Sequence, residues 1–241
     1  MNVYRWALGP LRSNCYLVVD GGEAVIVDPG WHEGVGEIIR FVEAGGLKVK
    51  AILATHGHFD HVSGVSTVKS VFNVPFLMHP ADVEIARRAH KSAFGYLGVE
   101  PPEVPEPDGG LREDTVIKVG GIELRVLETP GHTPGSVTII APGEILIGDL
   151  LLEAARIASL TSLAFKTPVA LTGDTLFKGT IGRADLPGSS PSDMIVSLRK
   201  ISMLPPETII YPGHGPQTTL REELQGNPHL IMLLGKRGAR K

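Results

Sequence analysis

Residues 55–61 read THGHFDH. Four side chains able to ligate a metal, His56, His58, Asp60 and His61, fall within six positions of a chain that has nine histidines among 241 residues. No folding requirement asks for that density, so the run reads as a metal-binding motif. Its surroundings explain how the donors converge. AILA (51–54) is a short apolar run that predicts a buried strand, delivering Thr55 and His56 to a sheet edge. Gly57 permits the turn that must follow. In extended backbone His56 and His58 point the same way, because side chains repeat with a period of two. A helix starting near Phe59 brings His58 and His61, three apart, onto one face. Two clusters then lie side by side, His56 with His58 and Asp60 with His61, and this arrangement predicts two metal ions.

More donors occur in similar settings along the chain. ETPGHTPGS (128–136) places His132 in a Gly- and Pro-rich loop after the apolar run IELRVL (122–127). YPGHG (211–215) does the same for His214 after ETII (207–210), and LTGD (171–174) ends an apolar run on Asp174. Histidine or aspartate at the mouth of a strand is how a site is assembled on rigid elements.

With GPLRSNCYLVVD (9–20), VIVDPG (25–30), GDTLFKGTIGRADLPG (173–188), YPGHGPQTTL (211–220) and NPHL (227–230), these motifs cover nearly the whole chain in order. Together they resemble the metallo-β-lactamase superfamily and, within it, the short glyoxalase II-like (hydroxyacylglutathione hydrolase-like) hydrolases. The resemblance implies an α/β fold, a four-layer αββα sandwich with metals at one edge between two mixed sheets. It implies one metal held by His56, His58 and His132, a second held by Asp60, His61 and His214, and Asp174 bridging both. Asp60 and Asp174 are then the catalytic carboxylates, and Asp28, at the end of AVIVD, supports the site from behind. Imidazole and carboxylate donors without thiolate suit two divalent ions, zinc first, with iron or manganese as alternatives. Water held between such ions supplies hydroxide at neutral pH, able to attack the acyl carbon of a thioester or related small ester.

The chain departs from the family pattern twice. His132 and Asp174 are 42 residues apart, where the family has under 25. EILIGD (144–149) already looks like the strand that ends in the bridging aspartate, so Asp149 competes with Asp174 on spacing. Asp174 is preferred because TLFKGTIGRAD follows it. LLLEAARIASLTSLAFKTPVA (150–170) reads as a helical insertion within one domain spanning 1–241. It is apolar on most sides and predicts packing on the core, an interface or, alternatively, a lid. Second, the family's glutathione site has a basic residue followed two positions later by an aromatic one. Arg183 fills the basic position and can receive a substrate carboxylate, while Asp185 replaces the aromatic. Alternative readings are a mononuclear iron persulfide dioxygenase using His56, His132 and Asp174, a lactonase, and a non-catalytic metal-binding protein.

The rest of the chain reads as scaffold. A net charge of −3 gives no footprint for nucleic acid, and the partner expected is a small-molecule substrate. No apolar stretch reaches the ~18 residues of a membrane span. MNVYRWALGP lacks the features of a secretory signal. The lone Cys15, in an apolar run, is a small buried hydrophobe. A cytoplasmic location is therefore expected, and the oligomeric state is left open. Helices are predicted over 32–46, on Val35, Ile38, Ile39 and Val42, and over 192–204, on Ile195, Leu198 and Ile201. Residues 91–110 predict an irregular loop whose Phe94, Tyr96 and Leu97 either pack along it or line a substrate mouth. His32, His79, His90 and His229 carry no claim on metal, and His79 helps to start the helix after it.

Overall fold

A computed structural model describes residues 1–143 and 167–235. One six-stranded sheet has the order β1 (Asn2–Leu8), β2 (Ser13–Asp20), β3 (Glu23–Val27), β4 (Lys48–Leu53), β5 (Phe76–Met78) and β6 (Gly109–Gly110). Its first three strands are antiparallel, and β3 to β6 run parallel. The chain continues through β7 (Val116–Val119), β8 (Ile122–Glu128), β9 (Val137–Ala141), β10 (Val169–Gly173), the small hairpin β11 (Leu176–Phe177) and β12 (Thr180–Ile181), then β13 (Ile209–Pro212) and β14 (Thr218–Thr219). The second sheet has the order β14-β13-β10-β9-β8-β7.

The sequence alternates along these strands in a way that feeds three apolar layers. In β2, Cys15, Leu17 and Val19 face outward to α1 (Val35–Ala44) and α3 (Val65–Phe72), while Tyr16 and Val18 face the other sheet. Ala24 and Ile26 of β3 share the first face, and Val25 and Val27 share the second. The inner layer is completed by Ala51, Leu53, Leu124, Val126, Val137, Ile139, Val169 and Leu171. Ala170 and Ile210 turn from the second sheet towards α6 (Pro191–Ile201), α7 (Leu220–Gly226) and α8 (Pro228–Gly235), meeting Met194, Leu198, Ile201, Leu220 and Leu230. Strands buried on both faces read as continuous apolar runs, and each buried aliphatic side chain contributes about 1.5–3 kcal/mol. Helix, sheet, sheet, helix is the four-layer αββα order that the family resemblance implies.

Element boundaries differ in instructive places. The helix expected over 32–46 is α1, which starts only at Val35 because Gly34 closes a turn on the Trp31 carbonyl. In α6 the buried stripe is Met194, Ser197, Leu198 and Ile201, and Ile195 is 41% exposed, so the expected face was set one residue too far round. Residues 91–97 are helical: α5 (Ala89–Leu97) lays Ala89, His90 and Ala93 inward and ends at Gly98 in the left-handed region. The irregular stretch begins only beyond it. Asp149 and residues 150–166 of the expected insertion lie outside the described residues; of the rest, Thr167 and Pro168 lead into β10 and Val169 and Ala170 open it.

Candidate metal centre

Asp28, His56, His132, Asp174 and His214 all follow the C-terminal ends of strands, respectively β3, β4, β8, β10 and β13. β3 runs parallel to β4, and β10 to β13, while β8 and β10 are both antiparallel to β9. All five ends therefore reach one edge, where the sheets are tied together. The Val137 amide donates to the Thr55 carbonyl (2.8 Å) and the Asn14 amide to the Gly213 carbonyl (2.7 Å). The Tyr16 hydroxyl and the Asn14 side chain both donate to the Pro212 carbonyl. After β4 the chain swings through Gly57 and enters α2 (Phe59–Val62), a single turn carrying Asp60 and His61.

Six donors fall into two groups, His56–His58–His132 and Asp60–His61–His214, and within each the ligand atoms lie within 4.8 Å of one another. Asp174 reaches both. Its Oδ2 is 3.5 Å from His132 Nε2 and 3.6 Å from His214 Nε2, and its Oδ1 is 3.5 Å from His61 Nε2. Asp28, His56 and His61 also lie close together, but the Asp28 carboxylate is already engaged. It accepts from the Thr55 amide (2.7 Å), the Thr55 hydroxyl (2.6 Å) and His61 Nδ1 (3.0 Å). Asp28 thus braces the group from behind, and it does so from a left-handed conformation, φ 51°.

Fixed acceptors set the tautomers. A carbonyl can only accept, so His132 donates Nδ1–H to Arg183 O (2.8 Å) and His214 donates Nδ1–H to Leu11 O (3.1 Å). Thr55 gives its hydroxyl proton to Asp28 and so accepts from His56 Nδ1 at 3.1 Å. With His61 held at Nδ1 by Asp28, four imidazoles turn Nε2 into the cleft. His58 instead presents Nδ1, 3.0 Å from His132 Nε2. Such outer partners orient metal-binding imidazoles and raise their basicity.

The two groups are electrostatically unlike. Burial and the neighbouring imidazoles hold His56 well below its usual value, and burial with His132 takes His58 down to about 3. Burial also opposes charge on His61, but Asp60, Asp174 and Asp28 outweigh it and push the imidazole up to about 10. His214 is raised despite burial by its hydrogen bond to Asp60 and by Asp174. Burial disfavours the Asp60 carboxylate, yet His61 and His214 hold it below the usual range. Without cations, His56 and His58 are held neutral, whereas His61 is held charged beside the Asp60 carboxylate.

The residues present fit metal ions. His56 Nε2 and Asp174 Oδ1 are buried with no hydrogen-bond partner among the described residues. His61 Nε2 and His214 Nε2 face each other at 3.3 Å. Buried polar atoms without partners are costly and rare in folded proteins; a cation between these lone pairs would satisfy them. All seven donors expected from the sequence are brought to this edge. Arg183 is brought there too, but by its backbone: the carbonyl holds His132, while the exposed guanidinium forms a two-point pair with Asp185 (2.9 and 3.0 Å). Tyr96, exposed, lies over Phe59 with ring centroids 6.0 Å apart and close enough to Arg183 to act on its charge. His79 caps the turn Pro80–Asp82 by accepting from the Ala81 amide (3.1 Å). His90 is buried on the inner face of α5. Not legible in the sequence are the hydrogen-bonding roles of Thr55 and of the Leu11 and Arg183 carbonyls. Thr55 opens the motif itself, but a backbone carbonyl carries no residue signal.

The sequence pattern described as "Metallo-beta-lactamase superfamily" matches residues 8–157. An uncharacterized protein of Aquifex aeolicus (strain VF5) is 38% identical over 232 residues, 94% of this chain and 96% of that protein. The Haemophilus influenzae protein named hydroxyacylglutathione hydrolase GloC is 30% identical over 234 residues, 95% of this chain and 98% of that protein. Among solved structures, the BLEG-1 B3 metallo-beta-lactamase superposes with a TM-score of 0.77 at 31% identity, over 95% of this chain and 99% of that one. TTHA1623 in a di-iron-bound form does so with a TM-score of 0.74 at 35% identity, over 94% and 99%. Sequence pattern, full-length relatives and fold agree with the resemblance carried by the motifs: the chain belongs to the metallo-beta-lactamase superfamily.

Proposed function

We propose that the chain is a metal-dependent hydrolase that uses two divalent cations to cleave a thioester of the hydroxyacylglutathione type or a related small ester. The observation that carries this reading is Asp174, whose carboxylate lies between histidines of both donor groups. In the proposal His56, His58 and His132 hold one cation, Asp60, His61 and His214 hold the other, and Asp174 bridges them. The likeness to GloC and to a di-iron-bound structure supports it. When bound, two such ions acidify water to a nucleophile and polarise an acyl oxygen. The protein's own part is orientation. Asp28, Thr55 and the carbonyls of Leu11 and Arg183 keep the Nε2 lone pairs of four imidazoles aimed inward. Asp60 and Asp174 bring carboxylate oxygens to the cleft beside these histidines. A thiolate leaves without needing a proton, which favours thioesters. Arg183 would exchange Asp185 for a substrate carboxylate, with Tyr96 beside it.

Imidazole and carboxylate donors admit zinc, iron or manganese. The donors span positions 56–214 in both sheets, so the chain acts as one domain in this reading. Among the described residues no helix is long and apolar enough to cross a membrane. A cytoplasmic location is proposed on the single buried Cys15 and the small-molecule substrate. The test is metal content per chain on protein purified without chelators, with S-lactoylglutathione turnover on the same sample. About two metals with turnover is the expected result. One iron, no hydrolysis and oxygen uptake with glutathione persulfide would replace this reading by the dioxygenase.

A further inference from the structure

Asp82 lies at the end of the short turn after β5, fully buried, and is none of the donors described above. Its carboxylate accepts three hydrogen bonds. Oδ2 takes the Gly57 amide (2.8 Å) and the Thr133 hydroxyl (2.6 Å), and Oδ1 takes the Gly135 amide (2.6 Å). Gly57 sits between His56 and His58, and Thr133 follows His132. One side chain therefore joins the two loops that carry the first donor group, one residue away from each of its three histidines.

The approach is too close for ordinary residues. A Cβ on Gly135 would lie 2.7 Å from Asp82 Oδ1, and a Cβ on Gly57 would lie 2.7 Å from the Asp82 carbonyl oxygen. Both loops are pressed against this turn. The Thr133 hydroxyl and amide are shared further with the Ser136 hydroxyl (2.7 and 3.1 Å), which fixes the loop around His132 from within. Three donors converge on two oxygens, and a carboxylate accepts at both. A carboxamide would point its NH2 at the amide of either Gly135 or Gly57, leaving one loop without its acceptor. Burying an anion among neutral donors is expensive, more so than a plain turn requires. Asp28, by contrast, reaches both groups, holding His61 directly and His56 through the Thr55 hydroxyl.

We propose that Asp82 is a positioning residue that clamps the loops bearing His56, His58 and His132 and so sets the affinity of that group, and not of Asp60–His61–His214, for its cation. The proposal rests on the two-cation reading above. Metal-stripped wild type, Asp82→Asn, Asp82→Ala and Thr133→Val are titrated with Zn2+ alone against a chromophoric chelator, resolving two stepwise affinities. The unfolding midpoint of each metal-free protein is recorded as well. Both Asp82 variants should weaken one site by about 10- to 100-fold and leave the other within a few-fold. Thr133→Val, which keeps both backbone contacts, should do the same to a smaller degree and keeps the test open if Asp82→Ala does not fold. Equal weakening of both sites, or of neither, overturns the clamp and reduces Asp82 to a structural tie. Fewer than two sites in the wild type overturns the two-cation reading itself.

Discussion

His61 makes the metal-free protein sensitive to pH in a direction that can be stated. Its imidazole is pushed up to about 10 by Asp60, Asp174 and Asp28 in spite of burial. A raised histidine contributes stability that is complete below its unfolded value of about 6.5 and is lost as pH rises through the folded one. Asp60 is depressed, so its contribution is present above about 3.9 and lost as pH falls through its folded value. His56 and His58 are held low, so their contribution is present above about 6.5 and is lost as pH falls; protein stripped of metal should accordingly melt highest near about pH 6.5, softening towards pH 10 as His61 loses its proton and towards acid as buried neutral histidines are forced to charge. Metal-loaded protein should gain relative to it as pH rises, because ligands must be deprotonated. Thermal melts of both forms across this range check the claim, and parallel profiles would contradict it. Asp28→Asn removes the acceptor of His61 Nδ1 and of Thr55, and metal affinity measured by chelator competition should fall about 10- to 100-fold. At this scale the sequence is legible where chemistry needs a particular side chain: the seven donors and Asp28 stand in short motifs. Asp82 stands in FLMHPAD, 22 residues beyond Asp60, where only His79 draws the eye. Two of its three partners are backbone amides of glycines, and glycine is otherwise read as a turn.

α6 does more than cover the second sheet. The Ser197 hydroxyl donates to the Pro130 carbonyl (2.6 Å), Ser189 donates to the His132 carbonyl (2.7 Å), and the Ser190 amide donates to Gly131 O (2.8 Å). The helix and its entry thus fix the loop that presents His132. Ser197→Ala leaves the half-buried Pro130 carbonyl without this donor and should cost about 0.5–1.5 kcal/mol, read from denaturant unfolding. β10 has the parallel role for Asp174. Asp174→Asn should lower turnover by roughly a thousandfold or more, the scale of losing a preorganised charge, while Asp149→Asn should be nearly neutral; the reverse outcome would move the bridge to Asp149. Helices with a wide apolar stripe, such as α1, are legible within a few residues. α5 is not, because its inner face is Ala89 and Ala93, too small to register as periodic apolar residues, while its large Phe94 and Tyr96 point outward.

The molecule as a whole stacks three apolar layers, and the middle one, between the sheets, holds the two halves of the donor set at a common edge. Ile139, fully buried there, should cost about 2–5 kcal/mol when truncated to alanine. The cations join the same halves. With free metal a thousandfold above Kd, each bound ion should add about 4 kcal/mol, so a chelator should lower Tm by roughly 8–16 °C per ion for a domain of this size. Calorimetry with and without chelator measures it. This scale is the least legible from local pattern: alternation and apolar runs say that strands are buried, but which strands share a sheet is known only from the ordered resemblance of motifs. One consequence follows from the pairing of Ala141 with Val169. β10 runs from Val169 to the cleft, so this pair lies about 16 Å from Asp174 along the strand, at the opposite end of the sheet from every donor. The described ends of β9 and β10 on this side, at Ala141 and Val169, therefore offer attachment points for a reporter or an affinity handle far along the strand from the donors.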